Sequence, residues 1–495
     1  MPPARQWTLA ATILGSSMTF IDGTAVNVAL PALQSDLNAT LTDIQWVIEA
    51  YALFLGSLIL VGGSLGDRLG RKRTFLAGVT LFTCASIACG LSGSTRALIA
   101  GRAVQGIGAA FLVPGSLAIL SATFDGADRG RAIGLWSGFS AITTAAGPVA
   151  GGWLIQHVSW RAVFLLNVPL AAIVVGLSVR YMSETQDPSE TGGIDWWGAA
   201  LATIGLAGVV FALLEWPMGA YRTLVVVSLA TGIASLIAFV ILEGHVHSPM
   251  LPLGVFRSRT FTLANTLTLL LYGALSIVLW LLPLNLIQVQ RYDATRAGAA
   301  LLPFPTVMFL LSRWSGGLVG RIASRVPLTI GPLVVGAGFV LCGRTGIGGS
   351  YWTTFFPVVS IVGLGMAIVV APLTTVAMTA VETQHAGVAS GINNAVARVA
   401  GLIAIAVCGI VLSAVFEARA GRALDQQELS ASARQAVDRE LPKLAGADVG
   451  SIVTGPQRTA VQRVVDESFV SAFDFVMMAA ALVAFIAGGV GALIR

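Results

Sequence analysis

Runs of about twenty mostly apolar residues recur along the whole chain, and each is long enough for a helix to cross a bilayer. Hydrocarbon offers no partner to free backbone N–H and C=O groups, so such a run must close its hydrogen bonds within a helix. Fourteen runs are expected to span: 8–30, 46–66, 74–92, 97–122, 132–156, 161–180, 196–216, 222–243, 260–288, 297–319, 327–343, 352–373, 395–416 and 468–492. Charged residues make up 11% of the chain, where a soluble domain carries about 25%. The sequence therefore reads as an all-α integral membrane protein.

An even number of spans puts both termini on one side. Placing them in the cytoplasm leaves thirteen Arg and Lys residues in inner segments, from Arg5 and the Arg68–Arg73 cluster to Arg321, Arg325 and Arg495. The short outer loops then hold six: Arg96, Arg161, Arg222, Arg291, Arg296 and Arg344. That bias predicts cytoplasmic termini. Segment 417–467 is left out because long loops cross largely regardless of charge; its stretch Glu417–Leu444 is expected to form an external helical hairpin. The first run is too long for a secretory leader, contains Asp22 and lacks a small-residue cleavage site.

A shift of 257 residues pairs Gly63 with Gly320, Arg68 with Arg325, Gly106 with Gly363, Gly108 with Gly365 and Gly134 with Gly391. Several pairings at one offset predict two related six-span halves, as many transporters have. The division expected is 1–183 for the first half, 184–259 for a linker with two inserted spans, and 260–495 for the second half with segment 417–467.

Between the second and third runs lies a short polar loop, Gly62 to Arg73, in which Asp67 is followed by Arg68, Arg71, Lys72 and Arg73. Its glycines, Gly63 and Gly70 among them, allow close helix ends and a sharp turn, so the loop reads as a latch between helices. The second copy, with Arg325, has Ser324 where the first has Asp67 and is expected to be electrostatically weaker.

Charged side chains inside spans cost at least about 2.5–3.5 kcal/mol each at the centre and mark function. Asp22 falls inside span 1, near Thr24 and Asn27, and Glu49 falls early in span 2. A bilayer interior disfavours the charged form of a carboxyl, so a group placed there can take up and return a proton. Arg102 and Gln105 lie in span 4, and Arg398 lies in span 13 beside Asn393 and Asn394. Asp22 and Arg102 are the expected proton-coupling residues; Asn27, Glu49, Gln105 and Arg398 are the expected substrate contacts. Both acids fall in the outer half of their spans, which could place two carboxylates in one cavity, with Arg102 able to pair with either. Gly138, Gly147, Pro148, Gly151 and Gly152 in span 5 allow close helix approach and a bend.

Other classes find little support. The cysteines, Cys84, Cys89, Cys342 and Cys408, lie in apolar runs, and His245 and His247 lack further ligands, so neither a disulfide framework nor a metal site is expected. The +5 net charge is scattered among loops and gives no case for nucleic acid. No nucleotide loop or nucleophile–base pair suggests a membrane enzyme, and no soluble domain suggests a sensor. No cofactor is called for.

Gly63 to Lys72, read as Gly-x-Leu-x-Asp-Arg-x-Gly-Arg-Lys, resembles the signature loop between spans 2 and 3 of the major facilitator superfamily. Asp22-x-Thr24 through Ala29-Leu30-Pro31 resembles the span 1 signature of its fourteen-span drug:proton antiporter branch, the QacA/EmrB type. Arg102-x-x-Gln105-Gly106-x-Gly108 resembles the span 4 signature, whose arginine is implicated in proton coupling, and Gly138 with Gly147-Pro148-x-x-Gly151-Gly152 resembles the span 5 antiporter signature. The resemblance implies two six-helix bundles around a cavity that opens alternately to each side, and exchange of an internal compound for external protons. It implies a multidrug exporter of the plasma membrane, acting on amphipathic cationic or neutral compounds, with protons, a small-molecule substrate and the lipid bilayer as partners. A monomer is expected. The alternative within transport is an exporter of one endogenous lipid or metabolite.

Overall fold

The computed structural model describes residues 3–124, 126–186, 195–216, 222–246, 249–318, 322–381, 386–427 and 429–494. Positions 187–194 of the linker, His247, Gly320, Arg321 and Arg495 lie outside them. Among the described residues are seventeen α-helices. The first seven are α1 (Pro3–Leu37), α2 (Leu41–Leu69), α3 (Arg71–Gly90), α4 (Thr95–Thr123), α5 (Gly126–His157), α6 (Arg161–Leu165) and α7 (Asn167–Tyr181). An inserted pair follows, α8 (Trp196–Glu215) and α9 (Arg222–Glu243). The rest are α10 (Arg259–Leu284), α11 (Ala294–Ala300), α12 (Pro303–Leu318), α13 (Arg325–Cys342), α14 (Tyr351–Thr379), α15 (Ala386–Leu424), α16 (Ala431–Glu440) and α17 (Gly455–Ala492).

Each of the fourteen expected runs falls on a helix or a broken pair of helices. Thirteen helical segments among the described residues are long and apolar enough to cross a membrane, by length and composition. The remaining run, 132–156, lies in the 32-residue α5, where glycine, serine and threonine dilute the apolar residues. Three runs expected as continuous helices are interrupted, and a proline lies at or within a few residues of each break. Pro169 cannot donate to the Leu165 carbonyl, and the chain breaks between α6 and α7. Pro283 precedes a π-helical turn at Asn285–Val289, and Pro303 starts α12 afresh after α11.

Local polar signals set the helix starts. Thr40 and Asp43 form a reciprocal capping box on α2: Thr40 Oγ1 accepts from the Asp43 N–H at 3.2 Å, and Asp43 Oδ2 accepts from the Thr40 N–H at 2.9 Å. Ser94, Asp195, Ser258 and Asp293 cap α4, α8, α10 and α11 in the same sense.

Helices α2 and α3 pack on α4, and α1 packs on α5 and α7; α12 and α13 pack on α14, and α10 and α13 pack on α17. The 257-residue repeat is visible in this packing. Gly106 of α4 meets the Tyr51 carbonyl of α2, and its counterpart Gly363 of α14 meets the Phe304 backbone of α12. A Cβ on Gly108 would lie 2.5 Å from the Phe82 nitrogen of α3, and one on Gly365 would lie 2.7 Å from the Val335 nitrogen of α13. The Gly134–Gly391 pair is not equivalent: nothing lies near a Cβ on Gly134, while Gly391 faces Leu60. Helix α8 rests on both α2 and α15, so the inserted pair flanks the seam between the two groups.

The expected separate hairpin over Glu417–Leu444 takes a different form. Its first arm is the continuation of α15, a 39-residue helix unbroken to Leu424. Its return is the short α16 and a 3-10 turn, Leu441–Gly446, from which the chain leads into the 38-residue α17. That turn touches α1 and α2 on one side and α15 and α17 on the other.

Replacing Gly108 or Gly365 by Val should each destabilise the protein by about 1–3 kcal/mol, because the added carbons would be forced into neighbouring backbone. Gly134→Ala should be neutral or slightly stabilising. Thermal unfolding in detergent reads all three; equal midpoints for the valine variants and the parent would disprove the close crossings.

Candidate functional site

The polar core lies among α1, α2, α3, α4 and α7. Asp22 (0% exposed) and Arg102 (2%) form an ion pair at 2.6 Å between Oδ2 and Nη1. Gln105, one turn along α4, donates from Nε2 to Asp22 Oδ1 at 2.9 Å, and its Oε1 accepts from Arg102 Nη1 at 2.6 Å. Arg102 Nε donates to the Val47 carbonyl of α2 at 3.0 Å. Gln105 Nε2 also reaches Ser86 Oγ at 3.2 Å; Ser86 in turn donates to the Phe164 carbonyl at 2.8 Å and accepts from Asn167 Nδ2 at 2.9 Å. The i, i+3 spacing of Arg102 and Gln105 puts both on one face of α4, toward α1.

Tyr51 joins this cluster to the seam. The Arg102 guanidinium lies 4.2 Å from the centre of the Tyr51 ring. Arg398 of α15 is within electrostatic reach of Tyr51 on one side and of Tyr272 of α10 on the other. Arg398 and Asn394 are exposed although they sit within a long apolar helix, and Gly23 of α1 is exposed with nothing near it. Accessible space therefore lies between the two groups of helices at this level. Asn27 is half-buried, its Nδ2 3.4 Å from the Gly23 carbonyl. Asn393 is used within the second group, donating to Thr268 Oγ1 of α10 at 2.7 Å.

Asp22 and Glu49 are not brought together. Gln45, Glu49 and Gly56 share one face of α2 by helical spacing. Gln45 Nε2 donates to the Ile405 carbonyl at 3.0 Å, and Gly56 faces the Arg398 Cβ, so this face looks toward α15. Tyr51, which meets Arg102, is on the opposite face. Glu49 is 0% exposed, and neither carboxyl oxygen meets a hydrogen-bond partner among the described residues.

The span 5 glycines do specific packing. Gly147 and Gly151 press α5 onto Thr24 and Ala25 of α1. Gly152 meets the Ala294 carbonyl, and Gly298 of α11 meets the Pro148 carbonyl, which draws the two groups together. Thr295 Oγ1 donates to Gln156 Oε1 at 2.6 Å alongside. Further contacts at this same end come from Gln288 Nε2, which donates to Gln34 Oε1 at 2.7 Å, and from Gln34 Nε2, which donates to the Lys443 carbonyl at 3.0 Å. Gly138 has open space around it and takes no part.

At the opposite end, Gly70 turns between α2 and α3 at φ 112°, a conformation open to glycine. Asp67 of α2 pairs with Arg71 of α3 at 2.7 Å across that turn. Glu184, after α7, accepts from the backbone N–H groups of Lys72 at 3.0 Å and Arg73 at 3.3 Å, which supplies the anionic cap that Gly70 cannot. Arg325 opens α13. Tyr51, Ser86 and Glu184 carry these arrangements although sequence reasoning gave them no role; only their polar character inside or beside a span marked them.

Residues 12–405 match the sequence profile of the Major Facilitator Superfamily. The chain is 34% identical to the multidrug resistance protein Stp of Mycobacterium tuberculosis (strain CDC 1551 / Oshkosh), covering 97% of this chain and 91% of that one. It is 32% identical to the tetracenomycin C resistance and export protein of Streptomyces glaucescens, covering 99% and 92%. Among solved structures, a bacterial homolog of the human lysosomal transporter Spinster, inward-facing and unoccupied, has the same fold with a TM-score of 0.67 at 18% identity, covering 100% of this chain and 99% of that one.

Removing one charge of the Asp22–Arg102 pair leaves the other buried and uncompensated, so Arg102→Met should cost about 3–5 kcal/mol. Adding Asp22→Asn should recover much of that loss. Strictly additive losses in thermal unfolding would show that the two side chains are not coupled.

Proposed function

The chain belongs to the Major Facilitator Superfamily, and from that premise we propose that it exports amphipathic drug-like compounds from the cell in exchange for protons. It is a multi-pass protein of the cell membrane and a transporter of small molecules. Relatives named for multidrug resistance and for tetracenomycin C resistance and export support the direction and the substrate class. The observation that carries proton coupling is the buried Asp22–Arg102–Gln105 cluster, separated by Tyr51 from the accessible space at Arg398.

In this reading both termini are cytoplasmic, and the end closed by Gly152, Gly298, Gln34 and the 441–446 turn faces outward. Residues 1–183 and 260–495 move as two bundles, with 184–259 between them, and the protein acts as a monomer. Gly63, Asp67, Arg68, Gly70, Arg71 and Arg325 form the inner latch, and Asp67–Arg71 with Glu184 holds the turn stiff enough to transmit bundle rotation. Asp22 takes the proton. Protonation removes its charge and loosens its hold on Arg102, and a guanidinium no longer balanced by Asp22 disfavours a cationic compound nearby. Asn27, Gln105 and Arg398 contact the compound or the groups that do.

Glu49 has a separate part. A carboxylate buried without a partner costs several kcal/mol, so the closed α2–α15 seam suits the neutral acid, and an open seam would hydrate the ionised one. Cation preference then arises when the seam parts and Glu49 meets the space beside Arg398.

Proteoliposomes with an imposed pH gradient test the whole reading. Asp22→Asn, destabilised by the uncompensated Arg102 but still delivered to the membrane, should show pH-driven transport no greater than empty vesicles; normal accumulation would remove Asp22 from coupling. Glu49→Gln should selectively lose cationic compounds relative to neutral ones of matched size. Equal loss of both, or of neither, would leave Glu49 with a purely structural part.

A further inference from the structure

Away from the polar core, a cavity of about 840 Å³ opens beside the crossing of α12 and α14. Its volume is in the range of sites that enclose a small molecule. Two features set its long axis. Near the crossing, where Gly363 meets the Phe304 backbone, it ends at Ser360. From there it follows the first turns of α14 to Tyr351, a rise of about 13 Å over nine residues.

Its lining changes character along that axis. The body is apolar and aromatic, formed by Tyr351, Trp352 and Phe356 with Val307 opposite. At the mouth stand Gln290, Arg291 and Arg296. The mouth is a fixed structure: Gln290 Nε2 donates to the Gly346 carbonyl at 2.8 Å and its Oε1 accepts from the Gly348 N–H at 2.8 Å. Both arginines are ion-paired from outside the lining, Arg291 through Nη2 with Asp466 at 2.9 Å and Arg296 through Nε with Asp293 at 3.2 Å, and the other N–H groups of each guanidinium remain to meet an anionic oxygen. At the closed end Ser360 Oγ is buried with no hydrogen-bond partner among the described residues.

The cavity opens at the surface beside the seam, since α11, which supplies Arg296, Ala299 and Ala300 to its lining, also packs on α5. Trp352 is 68% exposed, and Leu310 and Leu364, which flank the crossing, are exposed as well. Large apolar side chains left exposed on membrane-spanning helices mark a face that meets lipid. An occupant comes from the bilayer, with its apolar part along the aromatic side chains and its head at the two arginines.

We propose that this cavity is a binding site for one anionic phospholipid of the surrounding leaflet, its chain lying against Trp352 and Phe356 and its phosphate held by Arg291 and Arg296. The site is independent of the transported compound and of the reading of Asp22.

The test places the full chain in nanodiscs of phosphatidylcholine containing a trace of phosphatidylglycerol or phosphatidylcholine with a photoactivatable acyl chain. Crosslinked peptides are then mapped by mass spectrometry. Labelling of the Tyr351–Ser360 stretch should favour phosphatidylglycerol, by about fivefold for each arginine engaged. Arg291→Ala with Arg296→Ala should bring the two lipids level, and the double lysine variant should restore part of the preference, which separates lost charge from lost folding. Ser360→Phe, which fills the closed end, should reduce labelling by both lipids. Equal labelling of the parent by both lipids would overturn the proposal, and so would a preference that survives in the double alanine variant. Displacement of the label by an exported compound but not by added phosphatidylglycerol would instead make the cavity part of the transport path, and would overturn it too.

Discussion

The ion pair between Asp22 and Arg102 governs how the first bundle must be built. Two charges removed from water are tolerated only when their geometry is good and their remaining donors and acceptors are satisfied. That requirement recruits a side chain or backbone group from each neighbouring helix: Gln105 beside Arg102, the Val47 carbonyl from α2, Ser86 from α3, Asn167 from α7. Water must be kept out, so the helices have to approach closely. Gly106 and Gly108, on the same helix as Arg102, let α2 and α3 do so. The polar cluster and the small residues around it are therefore parts of one solution to one electrostatic problem.

The second bundle repeats the frame without the charges. Gly363 and Gly365 make the same crossings as Gly106 and Gly108, yet no buried ion pair is found at the matching level among the described residues. The helix crossings follow from backbone proximity and survive the loss of the polar core. In this chain the packing frame and the titratable cluster are separable, as the proposed division of roles requires, with proton chemistry in one half and Arg398 supplied by the other.

What the sequence made legible divides along the same physical line. Spans, their number and their repeat could be read because the bilayer imposes length and apolarity on local stretches, and the prolines that split three of the runs were visible too. The partner of Arg102 could not be chosen between Asp22 and Glu49, because the decision rests on which faces of α1 and α2 meet α4. A shift of two residues along a helix reverses a side chain's direction, and depth in the membrane alone does not reveal it. Glu184 was illegible for a different reason: it caps a helix more than a hundred residues earlier, and nothing local to either segment announces the contact. The span 5 glycines were recognised as a pattern, but only the structure assigns Gly147 and Gly151 to α1 and Gly152 to α11.

The two carboxyls on either side of α2 give that helix a particular place in the molecule. One face presents the Val47 carbonyl and the Tyr51 ring to Arg102; the other carries Gln45, Glu49 and Gly56 to α15. Any slide or rotation of α2 that releases the α15 contacts must also move two of the groups that hold Arg102. In the proposed mechanism a change of charge at Asp22, which alters how tightly Arg102 is held, would be felt in turn at the seam. No long chain of intermediates is needed, because a single rigid helix touches both places, about one helix diameter apart. Coupling of this kind is a shift in the balance between two packings of one element, and it requires that both packings be close in energy. The unpartnered Glu49 meets that condition, since a seam closed on an unsatisfied carboxyl is less stable than one closed on an apolar side chain, and the open arrangement is brought within reach.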